Sequence, residues 1–310
     1  MNIIERTAIG MAAAWLRHSP VTRGRWRIIA AALPLLRREG DTLGTRLVRT
    51  RHGFLFHADL GDWLGQYVYL TGDYEPATAR VIASLLNHRD HFADVGANAG
   101  FFTLLGAQAV GPEGRVVSFE PLPGMRERVR ANLRANGFRN VTLYDCALSD
   151  REDTLTFHEG PAGHKGVSSL REIANAAARF EVTTRPMDAL MAEIGPLRLA
   201  KIDVEGAEHK GLQGMQRIIE TWRPYLLLKI TDGFLRALGS SAIELASDLV
   251  ARGYHMYAIT ERGLRPMTPD QAAGEKQYNA LFAPEPIEPG WTGLDALHAR
   301  KRTAGRPSGT

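Results

Sequence analysis

From residue 91 onward, short apolar runs alternate with longer stretches in which apolar residues recur every three or four positions. The runs are His91 to Val95, Arg115 to Glu120, Val141 to Leu148, Leu197 to Gly206, Pro224 to Ile230 and Tyr254 to Thr260, with Tyr278 to Pro284 as a seventh. Runs of this length bounded by turn residues predict buried strands. The stretches Gly100 to Val110, Gly124 to Ala135, the one through Leu212, Met215 and Ile218, and Ser241 to Arg252 predict helices. Such alternation implies an α/β fold with a mostly parallel sheet covered on both faces. No clear helix separates the sixth run from the last, which predicts an antiparallel edge strand.

Upstream, Met1 to Arg38 mixes apolar and basic residues at helical spacing, and Thr45 to Gly61 alternates like a hairpin. Glu75-Pro76 opens a helix through Val81, Ile82 and Leu85, with proline in its first turn. Between Arg151 and Pro196 the alternation breaks. An extra strand, "TLTFHE", precedes a glycine-rich "GPAGHKGVSS". An insertion here would lie over the carboxyl ends of the strands, where such sheets bind ligands. The expected organisation is a basic helical extension over 1–52, a catalytic domain over 53–290 and a basic, disordered tail over 291–310.

The chain of 310 residues suits one large domain or two small ones. Its net charge of +4 is too small to argue for nucleic acid, but the excess sits at the ends. Arg6, Arg17, Arg23, Arg25, Arg27, Arg37 and Arg38 crowd one; Arg300, Lys301, Arg302 and Arg306 crowd the other. Two readings stand for the basic N-terminus. Trp15, Trp26, Ile28 and Ile29 among arginines could dock on an anionic membrane or a protein partner. Alternatively the segment is an accessory helix packed on the core. The single cysteine, Cys146, fits a reducing compartment. No signal peptide is evident, and Ile28 to Leu36 falls far short of the roughly 20 apolar residues of a span. The expected location is the cytoplasm, with peripheral contact at the inner membrane surface as an option for the basic arm. Monomer and homodimer both remain open.

The stretch "ADVGANAGFF" joins a strand to a helix N-terminus, which makes a ligand cradle. Gly96 and Gly100 permit unusual φ values and close approach. A dinucleotide-binding loop spaces its glycines G-x-G-x-x-G to admit a pyrophosphate; here Asn98 fills the second position. Asp94, just before the loop, would repel phosphates and attract an amine or sulfonium. Glu120, ending the second strand, is placed for the two hydroxyls of a ribose. Asp145, ending the third, could accept from an adenine amino group. A cationic nucleoside without phosphates, S-adenosylmethionine, meets all three demands.

At this point the chain resembles the FkbM-type methyltransferases. "FADVGANAGFFT", "SFEP", "LYDCALSD", "GVSSL" and "KIDVEGAEHKGLQGM" occur in the family's order and spacing, and "GDYEP" looks like its upstream segment. The resemblance covers about Phe54 to Ile230. It implies a class I methyltransferase fold, a Rossmann-like sheet of about seven strands with the last antiparallel. It implies S-adenosylmethionine as donor, Cys146 and Ala147 beside Asp145 in the cofactor site, and a hydroxyl acceptor on a small molecule, sugar or glycan-like metabolite. One departure is Lys229, where family members often carry an acid; it would pair with a carboxylate, meet an acidic substrate, or reach solvent.

Methyl transfer to oxygen requires alignment and removal of a proton by a base or a metal-activated group. Asp203 and Glu205 are the leading candidates for base or metal ligand, since alternation along a strand would put both on one face. His209 is a weaker candidate base, more readily read as a helix-surface residue. Tyr74, Glu75, His164, Ser168, Ser169 and Lys229 are the acceptor-side candidates, with Lys165 beside His164 in the glycine-rich loop. Glu75 also reads simply as a helix-start acid. No Cys and His spacing for zinc is present, and whether a divalent metal assists is left open. Competing readings are an NAD(P)-dependent oxidoreductase, which Asn98 and Asp94 oppose, a nucleic-acid methyltransferase, for which no aromatic-rich basic groove is visible, and a noncatalytic scaffold.

Overall fold

A computed structural model describes residues 3–19, 24–160, 168–274, 276–288 and 291. The chain opens with helices α1 (Ile3–His18) and α2 (Arg25–Leu43), the hairpin β1 (Thr45–Arg49) and β2 (Leu55–Asp59), and helices α3 (Trp63–Thr71) and α4 (Pro76–Leu85). The alternating region follows: β3 (His91–Val95), α5 (Phe101–Val110), β4 (Arg115–Phe119), α6 (Pro123–Asn136) and β5 (Val141–Tyr144). Next come β6 (Ala147–Leu148), β7 (Asp153–Glu159), β8 (Ala178–Arg185) and the short α7 (Met191–Ile194). The chain then runs β9 (Leu199–Ile202), α8 (Glu208–Gln213), α9 (Gln216–Trp222), β10 (Tyr225–Ile230), α10 (Asp232–Ala237) and α11 (Ala242–Ala251). It closes with β11 (His255–Thr260), β12 (Gly263–Pro266) and β13 (Tyr278–Ala283).

The main sheet has the order β12-β11-β13-β10-β9-β3-β4-β5. Strands β5, β4, β3, β9 and β10 are parallel, and β13 runs antiparallel to both β10 and β11. This is the doubly wound class I methyltransferase sheet. The last strand is antiparallel, as expected, and β12 adds an eighth strand to the expected seven or so as a short antiparallel edge on β11. One expectation about the sheet is corrected. The last strand is not at the edge: β13 fills the gap between β10 and β11, burying Ala280, Leu281, Phe282 and Ala283 completely. The expected single helix through Leu212 and Ile218 is two, α8 and α9. They part at Gly214, whose position leaves no room for a side chain beside the Ser149 carbonyl.

The two faces of the sheet carry different side chains. Ala93, Val95, Ala200, Ile202, Leu226, Leu228 and Ile230 point to one core with Leu212, Ile218 and Leu245. Phe92, Leu199, Leu227, Tyr257 and Leu281 point to the other, under α4 and α5. On this second face the strands turn polar toward their carboxyl ends: Phe92 gives way to Asp94, Leu199 to Lys201 and then Asp203, Leu227 to Lys229. Period two along a strand puts these residues on one side.

The N-terminal helices are packed, as the accessory-helix reading expected. Ile9, Ala13, Leu16, Ile29, Ala32, Leu33 and Leu36 form a core with Leu60 and Leu70, joined by Trp63 and Tyr67 of α3. Met11, Trp15 and Trp26 stay exposed. Among the described residues no helix is long and apolar enough to cross a membrane. The basic tail expected over 291–310 lies, apart from Trp291, outside the described residues.

The insertion forms a three-stranded sheet, β6-β8-β7. A bridge between His158 and Ser169 extends it, and the Ser169 hydroxyl donates to the Glu205 carbonyl at 2.8 Å. The hairpin β1–β2 is tied to the loop after β3 by buried Asn132 of α6. Its Oδ1 accepts from the His57 amide at 2.7 Å and its Nδ2 donates to the Ala99 carbonyl at 2.9 Å. Asn132→Ala strands both partners in the interior. It should cost about 2–3 kcal/mol in denaturant unfolding, against about 1 kcal/mol for loss of a single satisfied hydrogen bond.

Candidate active site

The loop after β3 is set by its backbone. Gly96 has φ +79°, and a Cβ there would stand 2.0 Å from the Asp203 carbonyl oxygen. The close approach that excludes a side chain is therefore to the end of β9. Gly96 and Ala97 amides both donate to the Phe119 carbonyl, at 3.0 and 3.1 Å. Asn98 adopts φ +52°, a left-handed conformation for which asparagine is among the best non-glycine residues. Gly100, at φ +88°, caps α5.

Glu120 stands immediately after β4 and is buried. Its Oε2 accepts from the Asn98 amide at 2.8 Å and its Oε1 from the Leu122 amide at 2.9 Å. Burial pushes its carboxyl up to about 7, against the pull of those two amides. Glu120, Gly96 and Asn98 line a cavity, together with Cys146, Ala147 and Phe119. Phe119 stacks on Tyr144 at 4.9 Å. Burial raises the Cys146 thiol to about 11, so it lines the wall as a small apolar group.

Asp94 does not line this cavity, contrary to expectation. It is 1% exposed, faces α5, and accepts from the Thr103 hydroxyl at 2.6 Å. Its cross-strand neighbour is Lys201, whose Nζ lies 4.0 Å from Asp94 Oδ1 and 3.3 Å from Asp203 Oδ2. The second oxygen of Asp203 faces Lys229 Nζ at 3.4 Å, and Lys229 reaches Glu205 Oε1 at 2.9 Å. Five charges thus alternate in sign across the ends of β3, β9 and β10. Burial opposes ionisation of Asp203, but Lys201 and Lys229 outweigh it and hold the carboxyl below its ordinary value. Burial likewise opposes charge on both lysines, and the flanking carboxylates more than restore it. Glu205 is raised, by burial first and then by the Asp203 charge.

Asp203 and Glu205 converge as expected, but not by strand alternation. Asp203 follows the end of β9, and Glu205 sits in a turn at φ +52°. The turn is braced by buried Glu208, which accepts from the Val204 and Gly206 amides; burial pushes its carboxyl up to about 7. A second, more open cleft adjoins the first, and Leu64, Tyr74, Asn98 and Lys229 line both. Tyr74 is buried against Phe101 and Phe102, and burial raises its hydroxyl well above the usual range. Glu75 lines the second cleft and accepts from Asn279 Nδ2 at 2.8 Å. It precedes α4 at φ +43° without a side-chain cap, so it is not simply a helix-start acid.

Several candidates fall elsewhere. Asp145 is exposed and outside the cavity wall, because the chain leaves β5 and turns outward before Cys146 re-enters. Gly100 shapes the turn without lining the cavity. His209 contacts Ser240 through Nδ1, away from both clefts. Ser168 lines the first cavity, whereas Ser169 is spent on the Glu205 carbonyl and the Arg171 amide. His164 and Lys165 lie outside the described residues.

Sequence reasoning passed over Lys201, although a lysine inside the buried run Leu199 to Ile202 was the available signal. It also passed over Trp26 and Arg37, which α2 contributes to the outer cleft from far along the chain. Lys201→Met leaves Asp94 and Asp203 facing each other without their shared cation. Loss of one partner from a buried ion pair costs about 3–5 kcal/mol, and chemical denaturation at neutral pH should show a loss of that order.

Comparison with known proteins follows this geometry. A family model described as the methyltransferase FkbM domain matches residues 94–256, more than half of the chain. A protein-L-isoaspartate O-methyltransferase of Ignicoccus hospitalis is 29% identical over 48% of this chain and 63% of its own length. The AMB antimetabolite synthetase AmbE of Pseudomonas aeruginosa is 39% identical over 54% of this chain and 10% of its own. The chain thus spans less than two thirds of either relative. A crystal structure of an FkbM methyltransferase from Methylobacillus flagellatus superposes with a TM-score of 0.42 at 18% identity, covering 70% of this chain and 52% of that one. With the matched segment running from Asp94 to the start of β11, and so spanning the loop, Glu120 and the Asp203–Glu205 turn, the chain belongs to the FkbM methyltransferase family.

Proposed function

We propose that the protein methylates a hydroxyl oxygen on a small-molecule, sugar or glycan-like acceptor, with S-adenosylmethionine as donor. The observation that carries this reading is the pair of adjoining clefts with a charged junction between them. The inner cleft suits a nucleoside: Glu120 is held by two backbone amides with its carboxylate facing the cavity, Phe119 supplies an aromatic wall, and the buried Asn98 Oδ1 has no hydrogen-bond partner among the described residues. Such an orphaned acceptor fits a ligand donor. Together Glu120 and Asn98 would hold the ribose and its neighbouring donors, while Cys146, Ala147 and Leu148 would flank the base. The donor, when bound, supplies an activated methyl group on a positively charged sulfur.

The outer cleft fits the acceptor. Trp26, Trp63, Tyr67 and Phe234 give it aromatic walls, and Glu75, Glu205 and Gln277 give it hydrogen-bonding groups. An apolar wall with a few placed polar groups orients a ligand. Glu205, at the junction, would receive the acceptor's proton, since its raised value brings it closer to the working range of a base. The relative from Ignicoccus hospitalis is named for O-methyl transfer, which agrees with oxygen as the acceptor atom.

Calorimetry tests the reading. S-adenosylmethionine and its demethylated product should bind, NAD should not, and Glu120→Ala should abolish binding. Because both ribose hydroxyls donate, the ionised carboxylate is the binding form. With Glu120 up to about 7, affinity for the demethylated product should rise about tenfold between pH 6 and pH 8. Binding of NAD alone would make the loop a dinucleotide site and end the methyltransferase assignment of the cofactor.

A further inference from the structure

Among the described residues, Lys229 is the one charged group that touches both carboxylates of the junction and both clefts. Its position rests on the sheet. Leu227 and Lys229 point to the same face of β10, and β9 and β13 flank that strand. The ammonium is 2.9 Å from Glu205 Oε1 and 3.4 Å from Asp203 Oδ1. Two carboxylates this close in a poorly hydrated site cannot both ionise without a cation between them. A bound divalent ion is one common means of supplying it. Here the gap already holds a covalently tethered ammonium.

Building on the methyltransferase reading above, we propose that Lys229 is the resident cation of the transfer site, filling the seat between Asp203 and Glu205 in place of a metal ion. It is a positioning residue. It keeps Asp203 and Glu205 ionised and fixes the Glu205 carboxylate beside the acceptor cleft. The acceptor oxygen forms its new bond to the methyl carbon as the carbon–sulfur bond breaks, the electron pair of that bond staying on sulfur. The hydroxyl proton passes to Glu205, so one proton and one methyl change places and nothing is oxidised or reduced. An ammonium that can neither dissociate nor exchange keeps this geometry independent of metal supply.

The other groups facing this centre are known. Lys201 and Asp94 act through Asp203. Tyr74 and Glu75 approach Lys229 from the N-terminal side, Arg171 approaches Glu205 from the insertion, and Glu208 lies beyond Asp203 in the turn. Among these, only the two lysines and Arg171 are cationic, and only Lys229 contacts both carboxylates in the structure.

The test needs no acceptor. Carboxyl carbons of Asp and Glu are followed by NMR through a pH titration of wild type, Lys229→Met and Lys229→Arg, with Glu205→Gln and Asp203→Asn spectra for assignment. Calorimetric titration with the demethylated cofactor product runs in parallel. In Lys229→Met the midpoint of the acidic pair should rise by at least about one pH unit, while Lys229→Arg stays within about half a unit of wild type. Millimolar Mn²⁺ should leave the wild-type Asp203 and Glu205 signals unbroadened. Unmoved midpoints in a folded Lys229→Met protein would overturn the proposal, as would Mn²⁺ broadening those two signals in wild type. If Lys229→Met fails to fold, the Lys229→Met/Glu205→Gln double variant removes the uncompensated charge; an Asp203 midpoint in it equal to that of Glu205→Gln alone would again sink the idea. Wild type that shows the expected midpoints yet binds no demethylated product would leave the cation assigned and refute the methyltransferase reading instead.

Discussion

The structure depends on charge alternation at the carboxyl edge of a parallel sheet. Asp94, Lys201, Asp203, Lys229 and Glu205 form a ladder in which each ion's neighbours have opposite sign. Lys201, 2% exposed with its Nζ over the Phe102 ring, could not be charged there without both acids. The ladder joins the ends of three adjacent strands and the turn after the middle one. It therefore fixes the relative height of the loops that line the two clefts. Apolar packing alone, which governs the same strands one turn of pleat earlier, is non-directional and would not fix that height.

Much of this fold was legible from local pattern. The apolar runs at 91–95, 115–120 and 224–230 are strands because buried parallel strands need apolar residues on both faces. What local pattern could not supply was neighbour order. Tyr278 to Ala283 reads as a final strand, but its place between β10 and β11 depends on which gap is open. Only the assembled sheet determines that. The β12 edge was missed for a related reason: Gly263–Pro266 is short, mostly polar on its exposed side and carries no apolar run.

The site was read unevenly for the same physical reason. Glu120 follows from its place at a strand end, one strand beyond the glycine loop, and Asn98 from its place within that loop. Asp94 was read as facing a ligand because it adjoins the loop, but strand alternation turns it the other way, toward Thr103 and Lys201. Asp203 and Glu205 were found by their motif, although the geometry joining them is a left-handed turn braced by Glu208 rather than a strand. Lys201 and Lys229 make sense only as a pair interleaved with acids from other strands, and that relation is nonlocal. Trp26 and Arg37 reach the outer cleft from a segment that sequence reading could assign equally to a membrane or to the core. Packing of α2 on α3 ties the arm to the core and brings Trp26 and Arg37 to the outer cleft.

The sign and number of charges in the ladder also bear on the proposed chemistry. With every group ionised, three carboxylates and two ammoniums leave one unit of negative charge beside the inner cleft. A sulfonium donor brings one unit of positive charge, which offsets the charge of the ladder. Methyl transfer removes that positive charge from sulfur. If the acceptor proton then escaped to water, the buried ladder would regain an uncompensated negative charge, which a site of low effective dielectric resists. If the proton stays on Glu205, the summed charge of ladder and donor is the same before and after transfer. The ladder thus favours proton retention until product leaves. The raised value of Glu205, set by burial and by Asp203, is the property such retention requires. A divalent ion in the same seat would add a further positive charge and lower the basicity of the carboxylates. A single ammonium is the cation that keeps both steps balanced.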